Sequence, residues 1–548
     1  MGDRMRLVAQ GLLPFIYEEE RTGLGATALA GLPAYLELAL ALGLPESIGK
    51  WITVKDGPQG WSDVQVVMAL VMLNLAGGDC VEDIDHLEKD AGFCELVRQA
   101  ENYGVPAPTA EHIRRRWRRE RRRSVPSKSV IFRYLDAFHN EKQEALREKG
   151  KAFIPADNDY LSALRRVSED LMTAIYRCNP TDVATLGMDA TLIQTAKKAA
   201  LRCYKGFLGW QPHNVFFEEQ GCILYSEFRD GNVPAGYQQL CILEEALKRL
   251  PEGVKRVRLR SDTAGYQIDL LRYCAKGQNE RFGVIEFAIG CDVTPEFKAA
   301  VARVPESDWR PLVRVVGKEE FGTVQEWAEV PFVSSDYAAT KNAPQLRYLA
   351  VREALSQQPL PGLGAQLTLP FQTIEIEHRR SSVVYKLHGV VSNSTEVGGQ
   401  IIWWYRGRCG KSEEAHSVMK EDLAGGQMPS FRFGANAAWW GIMLLAFNLE
   451  IAMKRAVLEK IEPGKWRERR MKAIRFEVIS TPGRLVNHAR QPRLRMAQGH
   501  PAMRLLIQMR ERIAQLWHEL QVMAGQTRTG CEAERKGAGC SMQPVRYG

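Results

Sequence analysis

The stretch ATLGMDATLIQ, residues 184–194, begins the part of the chain that decides the fold. Its apolar residues recur with a period of two, which predicts a β-strand. Two further strands are predicted by NVFFEE at residues 214–219 and GCILYSEF at residues 221–228, with a turn at Gln220 and Gly221 between them. The segment therefore predicts three consecutive strands.

Helices and strands alternate beyond this point. A helix is expected from about Ala235 to Leu250, and the strand VKRVRLR follows at residues 254–260. A second helix, from about Gly265 to Ala275, precedes the strand FGVIEFAIG at residues 282–290. The order β-β-β-α-β-α-β predicts an α/β fold with a mixed sheet.

Three acidic residues stand where this fold could bring them together. Asp189 lies in the first strand, Asp262 directly follows the fourth, and Glu413 opens a segment with helical periodicity. Hard divalent cations prefer oxygen ligands, and pairs of Mg²⁺ or Mn²⁺ ions catalyse in-line displacement at phosphorus. A single Asp at a strand end is usually a turn residue or a helix cap, so the hypothesis of a metal site depends on all three acids.

The third acid belongs to a motif that resembles a known family. The cut-and-paste group of DDE insertion-sequence transposases carries a Tyr-Arg-Glu-Lys signature. In this chain the matching residues are Tyr405, Arg408, Glu413 and Lys420. Four residues separate the Arg from the Glu here, whereas the family pattern has three.

The resemblance extends roughly from Thr27 to Gln515 and includes the runs RDGN at residues 229–232 and GANAAWWGIMLLAFNL at residues 434–449. It implies an RNase H-like catalytic core with a mixed sheet. It also implies that two Mg²⁺ or Mn²⁺ ions are held by three catalytic residues, namely Asp189, Asp262 and Glu413.

The other signature residues have a functional and a structural interpretation. By resemblance, the residues that hold phosphates of the transposon end are Tyr405, Arg408 and Lys420. Alternatively, they form surface salt bridges of little energetic value with Glu413, Glu414 and Asp422. Their neighbours Trp403 and Trp404 are expected in an apolar strand of the core.

Related enzymes carry a β-rich insertion before the catalytic Glu, and it can supply an aromatic residue that stacks on a flipped base. The runs LVRVV, QTIEIEH and SVVYKLHGVVS predict a mostly β insertion between residues 291 and 400 of this chain. Stacking of a base on an aromatic side chain contributes about 1–3 kcal/mol. The two candidates for this role are Trp309 and Trp327.

An arginine-rich run follows a predicted helical bundle near the N-terminus. The bundle extends from Leu32 to about Gln99, and residues 114–123 then contain eight Arg around Trp117 and Glu120. So dense a cluster of one sign repels itself unless a polyanion binds, which favours contact with DNA phosphates over a solvated charged helix. The proposed contacts are Arg114, Arg115, Arg118 and Arg119.

A chain of 548 residues is too long for one hydrophobic core. The pattern divides it into a helical DNA-binding region (1–150), the first part of the core (151–290) and the β-rich insertion (291–400). The second part of the core with the Glu413 helix (401–460), a C-terminal region (461–526) and a tail (527–548) follow. The tail has few apolar residues and is expected to be disordered.

Composition constrains the compartment and the cofactors. A net charge of +9 suggests a polyanionic partner, and eleven cysteines without a CxxC pair, in a chain with no secretory signal, suggest free thiols in the cytoplasm. The apolar run at residues 437–447 is too short to span a bilayer. His213 and His416 lack zinc-ligand spacing, and no phosphate loop is present, so neither zinc nor a nucleotide cofactor is expected.

These observations predict a transposase of a bacterial insertion sequence. It would act on double-stranded DNA, both at the transposon ends and at the target, and the resemblance implies a homodimer on DNA. Two alternatives remain open: a stand-alone metal-dependent DNA nuclease of RNase H-like fold, and a DNA-binding protein with a decayed catalytic core.

Overall fold

A computed structural model describes most of the chain between residues 9 and 537. The residues described are 9–10, 16–17, 25–55, 60–102, 123–148, 150–317, 319–339, 342, 344–355, 371–378, 381–488 and 491–537.

The strands, numbered in chain order, are β1 (Ala9–Gln10), β2 (Ile16–Tyr17), β3 (Ala26–Thr27), β4 (Val183–Ala190), β5 (Ile193–Gln194), β6 (Leu201–Arg202), β7 (Leu208–Trp210), β8 (His213–Phe217), β9 (Cys222–Glu227), β10 (Arg256–Ser261), β11 (Glu286–Cys291), β12 (Arg310–Val316), β13 (Glu319–Val330), β14 (Arg347–Ala354), β15 (Thr373–His378), β16 (Ser381–Ser392), β17 (Gly483–His488) and β18 (Gln491–Arg495).

The α-helices are α1 (Leu32–Ala41), α2 (Leu44–Trp51), α3 (Asp63–Ala76), α4 (Ile84–Lys89), α5 (Ala91–Asn102), α6 (Lys128–Asp136), α7 (Glu141–Glu144), α8 (Asp159–Cys178), α9 (Gln239–Lys248), α10 (Ile268–Lys276), α11 (Pro295–Ala302), α12 (Ser335–Ala338), α13 (Gly398–Arg406), α14 (Lys411–Ser417), α15 (Phe433–Ala452), α16 (Glu459–Ile461), α17 (Met471–Ile474) and α18 (Pro501–Gly537). Three π-helical turns cover Val418–Asp422, Met453–Leu458 and Arg475–Ile479.

A mixed sheet of ten strands forms the centre of the molecule. Nine strands lie in the order β12-β13-β14-β16-β11-β10-β4-β8-β9, and β15 pairs with β16. β4, β10 and β11 are parallel, whereas β8 and β9 are antiparallel to their neighbours. The five strands and the two helices that the sequence predicts between residues 182 and 290 are therefore confirmed. The five strands form one half of this sheet.

Helix α15 lies at the centre of the helical layer. It packs against α3, α8 and β9, and almost all of its side chains are buried. A helix that is apolar on all sides must be surrounded by other elements. This explains the run AWWGIMLLAFNL, in which Asn448 bonds the backbone N–H and C=O of Ile223 on β9.

The strands predicted as an insertion continue the sheet of the core. β16 pairs antiparallel with β11, with Gly290 opposite Val390, and β14, β13 and β12 follow outward. The segment is therefore rich in β-structure, but it does not form a separate sheet. Local alternation shows that these residues form strands and gives no information about their pairing partner.

Three other expectations differ from the structure. The N-terminal region is not entirely helical, since β3 pairs with β17 near the other end of the chain. Trp403 and Trp404 lie in helix α13, not in a strand, because the buried positions Ile401, Ile402 and Tyr405 have helical spacing. Helix α18 continues past the predicted boundary at Thr527 to Gly537, since extending a formed helix is easier than starting one.

Within the described ranges, no single helix is long and apolar enough to cross a membrane. Residues Asp63–Ala76 and Val81–Lys89 would meet the length and composition only as a pair that is bent by 96°.

Candidate active site

Asp189 and Asp262 lie side by side at the carboxyl end of the sheet. β4 and β10 are parallel neighbours in which Met188 pairs with Ser261. Asp189 directly follows Met188, and Asp262 directly follows Ser261 at the end of β10. The Asp262 carboxylate accepts a hydrogen bond from the backbone N–H of Ala264 at 3.0 Å and so begins a short 3₁₀ turn. The sheet register therefore places the two predicted carboxylates together.

The surroundings of Asp189 make its charge unfavourable. Burial, followed by the neighbouring Asp262 carboxylate, raises the pKa of Asp189 to about 6, with a smaller contribution from Glu413. The nearby Ser412 hydroxyl and the charge of Arg408 act in the opposite direction and lower this pKa. The charges of Asp262 and, to a smaller extent, Glu413 thus act on Asp189.

Glu413 belongs to the first turn of helix α14. Its Oε2 accepts a hydrogen bond from the backbone N–H of Gly410 at 2.7 Å and from the Ser412 hydroxyl at 3.2 Å. Burial alone would raise the pKa of Glu413, but hydrogen bonds from backbone N–H groups and from Ser412 lower it. The side chain therefore caps its own helix in this structure.

The three acids are neighbours without forming a ready metal cage. Among the residues that the structure describes, no group of three His, Cys, Asp or Glu side chains is arranged to hold a metal ion. Oε2 of Glu413 is occupied by its helix cap, so coordination through Oε1 would keep those hydrogen bonds, whereas bidentate coordination would compete with them. The donors themselves are carboxylate oxygens, which suit hard divalent cations.

Tyr405 and Arg408 lie beside the two aspartates. Tyr405 is buried, with its ring stacked on His388 at a centroid distance of 5.5 Å. Burial alone would lower the pKa of Arg408, but Tyr405, Asp262 and Asp189 raise it above its ordinary value. This arrangement differs from the alternative of surface salt bridges. Asp422, one of the acids named in that alternative, pairs with Arg470 at 2.8 Å.

Lys420 reaches the same end of the sheet from a π-helical turn. Its Nζ donates a hydrogen bond to the backbone carbonyl of Leu192 at 3.3 Å, three residues after Asp189 along the chain. The segment that Glu413 opens is helical, as its periodicity predicts, but it changes type along its length, since α14 ends at Ser417 and the π-turn follows. The lysine nevertheless lies on the Asp189 side.

Comparison with known proteins assigns the family. A family model described as "Transposase DDE domain group 1" matches residues 18–518. The chain is a member of this DDE transposase family.

Other comparisons are more distant. The chain is similar to a solved piggyBac transposase synaptic complex with hairpin DNA, at 12% sequence identity and a TM-score of 0.41, with 81% of this chain and 80% of that chain covered. No curated protein sequence matches it. DDE transposases generally use divalent metal ions.

The tryptophans proposed to stack on a flipped base are core residues of this transposase. Trp309 and Trp327 are each only 7% exposed. The Arg352 guanidinium covers the Trp309 ring at 4.0 Å, and Trp327 packs so closely on Gly398 that a Cβ there would lie 2.2 Å from the ring. Both rings are therefore largely covered as they are placed here, and stacking on a base would require their surroundings to move, so the proposed role stays a prediction.

The four arginines proposed to contact DNA, Arg114, Arg115, Arg118 and Arg119, lie outside the described residues. Their role stays a prediction.

Four functional neighbours of the acids were not identified from the sequence: Glu218, Arg260, Ser412 and His416. Arg260 is buried on β10, two residues before Asp262, and it pairs with Glu218 and donates to the backbone carbonyl of Trp404. It thereby connects β10 to the end of α13. The alternation Arg256, Arg258, Arg260 on one strand face was the available signal.

His416 contacts both Asp189 and β8. Its Nδ1 lies 3.9 Å from Oδ2 of Asp189, and its Nε2 lies 3.1 Å from the side-chain amide of Asn214. Burial, followed by the charge of Lys420, lowers the pKa of His416 to about 4. The imidazole is therefore neutral near pH 7, and its contact with Asp189 could not be read from its position in the sequence.

Proposed function

We propose that this DDE transposase moves a bacterial insertion sequence. In this proposal a homodimer binds the terminal inverted repeats of the element, hydrolyses each end to expose a 3′-OH, and directs that hydroxyl at target DNA. The observation that carries the proposal is the pairing of Asp189 and Asp262 at the carboxyl ends of adjacent parallel strands, with Arg408 close to both.

The donor set fits a hard divalent cation, and we infer two Mg²⁺ or Mn²⁺ ions. Asp189, Asp262 and Glu413 would hold them, because all three offer carboxylate oxygens at one end of the sheet. When bound, such ions supply activation of the attacking oxygen and stabilisation of the leaving one. The raised pKa of Asp189 supports this, since a cation would offset the repulsion between the carboxylates.

Ser412 and His416 position the carboxylate of Asp189. The Ser412 hydroxyl lies close enough to Asp189 to favour its charged form, and Nδ1 of the neutral His416 ring lies 3.9 Å from the same carboxylate. Because the amide of Asn214 contacts Nε2 of His416, the ring is held from β8, the strand next to β4. The carboxylate is thus oriented before DNA arrives.

Arg408 is suited to hold a phosphate next to the carboxylates. Its Nε is buried and has no hydrogen-bond partner in the described part of the chain, so a donor is available. A guanidinium binds a phosphate with two parallel hydrogen bonds, and Tyr405 fixes the position of this one. Lys420 would contact a second phosphate on the Asp189 side.

The test uses a supercoiled plasmid that carries the gene with its flanking DNA. The transposase should nick at the ends of the element in Mg²⁺ and should transfer those ends to a second plasmid. A stand-alone nuclease would cut without regard to the ends, and a decayed protein would bind without cutting. Either result would contradict the proposal.

Alanine substitutions test the assignment of the acids. Asp189→Ala or Asp262→Ala should lower the nicking rate by at least about 100-fold, because each change removes a metal ligand. Binding to the ends, measured by fluorescence anisotropy, should change little. Near-normal nicking by either variant would show that the metal site lies elsewhere.

A further inference from the structure

A basic segment follows Asp189 directly. Between Ala190 and Asn214 the chain contains four basic residues and no acidic residue. The basic residues are Lys197, Lys198, Arg202 and Lys205. The proposed chemistry of the acids does not use any of them.

The segment forms a small sheet of its own beside the site. Its strands have the order β5-β7-β6, and β5 begins four residues after Asp189. The Lys420 hydrogen bond to the carbonyl of Leu192 ties the start of the segment to the turn after α14. The segment therefore lies next to the carboxylates on the β4 side.

Three basic side chains and one ring of this sheet face solvent. Lys198, Arg202 and Lys205 are exposed, and Tyr204, at the tip between β6 and β7, is 75% exposed. The Arg202 guanidinium bonds the backbone carbonyl of Gly206, which holds it across the tip. Throughout the described ranges, none of these three cations forms an ion pair with an acid. We call Lys198, Arg202, Tyr204 and Lys205 the basic tip.

Hydrogen bonds from the RDGN run, residues 229–232, connect the sheet β5-β7-β6 to the core. The backbone N–H of Gly231 donates to the carbonyl of Gly209 on β7 at 2.9 Å. A Cβ at residue 231 would lie 2.5 Å from that oxygen and 2.6 Å from the carbonyl of Leu201, so only glycine allows this approach. On the same run, Asp230 pairs with Arg147 and its backbone bridges Trp210. The contacts of the RDGN run thus hold the sheet that carries the basic tip in a fixed position against the core.

Unpaired cations on a fixed support repel one another, so an anionic partner that covers them is favoured. Duplex DNA carries about one charge per 1.7 Å of its axis, which suits several neighbouring cations at once. An exposed ring among the cations adds a surface for contact with sugars or bases.

We propose that the basic tip binds phosphates of the DNA duplex next to the phosphodiester that is cut. The proposal rests on the proposed function, because it takes the carboxylates as the place where DNA is cut. It assigns the RDGN run a positioning role, in which Gly231 and Asp230 hold the tip beside the site.

The test compares two triple variants. Lys198→Gln/Arg202→Gln/Lys205→Gln removes the basic tip, and Lys248→Gln/Lys255→Gln/Arg256→Gln is the matched control. The control residues are also exposed, but Arg256 begins β10, and Lys255 directly precedes it, at the end of this strand opposite to Asp262. Both variants should have the wild-type melting temperature, since all six side chains are at the surface.

Binding to duplexes that contain the gene's flanking DNA is measured by anisotropy over a range of salt concentrations. The slope of log K against log salt should fall by about 0.9 for each phosphate that the tip variant no longer binds, and it should not change in the control. Methylphosphonate substitution of single phosphates near the cut should weaken binding of the wild type and have no effect on the tip variant.

An unchanged slope in the tip variant would overturn the inference and would show that these cations serve a partner other than DNA. The same slopes separate this failure from failure of the proposed function. If the wild type fails to nick its ends, the proposed function is wrong. If it nicks and the tip variant matches it in slope and rate, only the role of the basic tip is wrong.

Discussion

Tyr405 crosses β11 at a residue that has no side chain. A Cβ on Gly290 would lie 2.9 Å from the Tyr405 hydroxyl and 3.1 Å from the hydroxyl of Thr263, which follows Asp262. In the sheet register Gly290 stands beside Asp262, as Ile289 pairs with Ser261. Because Gly290 has no side chain, Tyr405 can pack closely across β11 and approach the aspartates of the next two strands, β10 and β4.

We expect Gly290→Ala to lower the nicking rate by up to about 100-fold, because a small displacement of Tyr405 and Arg408 moves the phosphate-binding group from its place. Affinity for the ends should change much less. The control is Gly49→Ala, in helix α2, far along the chain from the site. Its added methyl would meet only the side chain of Val64, at 3.4 Å. Equal rates for both variants would contradict the positioning of Tyr405 by this contact.

At the scale of elements, helix α14 and the π-turn after it set the positions of the last two candidate site residues, Glu413 and Lys420. Glu413 is in the first turn and Lys420 is in the π-turn, seven residues later. A continuous α-helix would place these two residues within about 20° of each other, at about 100° per residue. The π-turn changes that angle, but contact with Leu192 still keeps Lys420 on the Asp189 side. Glu414 is exposed.

We predict that Glu413→Gln abolishes nicking in Mg²⁺, because the amide is a poor ligand for the ion, whereas Glu414→Gln keeps most of the activity. The two variants are compared on one supercoiled plasmid that carries both ends. Glu413→Gln should keep part of the helix cap, since its amide oxygen can still accept from Gly410. If Glu414→Gln were the inactive variant, the ligand would be the neighbouring residue.

At the scale of the whole molecule, buried polar contacts connect the N-terminal helices to the core. The Tyr35 hydroxyl on α1 donates to Glu450 on α15 at 2.5 Å, and Lys454 lies 3.7 Å from the other carboxylate oxygen. Arg475, from the C-terminal region, bonds the backbone carbonyls of Asn74 and Asp422. The helical region, the site and the C-terminal segment therefore form one connected body within the described residues.

Tyr35→Phe should lower the free energy of unfolding by about 1–3 kcal/mol, because Glu450 keeps its buried position but loses a donor. Chemical denaturation followed by circular dichroism measures this change. Tyr204→Phe, on an exposed ring, should leave the stability unchanged. A loss of equal size in both variants would argue against the connecting role of Glu450.

The arginine run gives a prediction at the same scale. Neutralising Arg114, Arg115, Arg118 and Arg119 together should weaken DNA binding and flatten the dependence of log K on log salt by about 0.9 for each phosphate that is no longer bound. The measurement is the anisotropy titration used for the basic tip. If the slope of log K against log salt did not change, the alternative interpretation of this run as a solvated charged helix would be supported.

The sequence by itself determined the order of strands and helices between residues 182 and 290 and the positions of the acids at strand ends. Periodicity is a local property, so ATLGMDATLIQ and VKRVRLR predict strands without knowledge of their partners. That order places Asp189 and Asp262 at strand ends, whereas the parallel pairing that brings both ends to one edge of the sheet is seen only in the structure.

The tertiary structure alone decided which side chains meet. The partners of Arg260 and His416 lie 42 and 202 residues away along the chain, and Cys291 on β11 pairs with the distant Gly389 on β16. A pattern of apolar residues shows that a side chain is buried, but not what it is buried against. For that reason the burial of Trp309 and Trp327, and the support of the basic tip by Gly231, appear only when distant segments pack together.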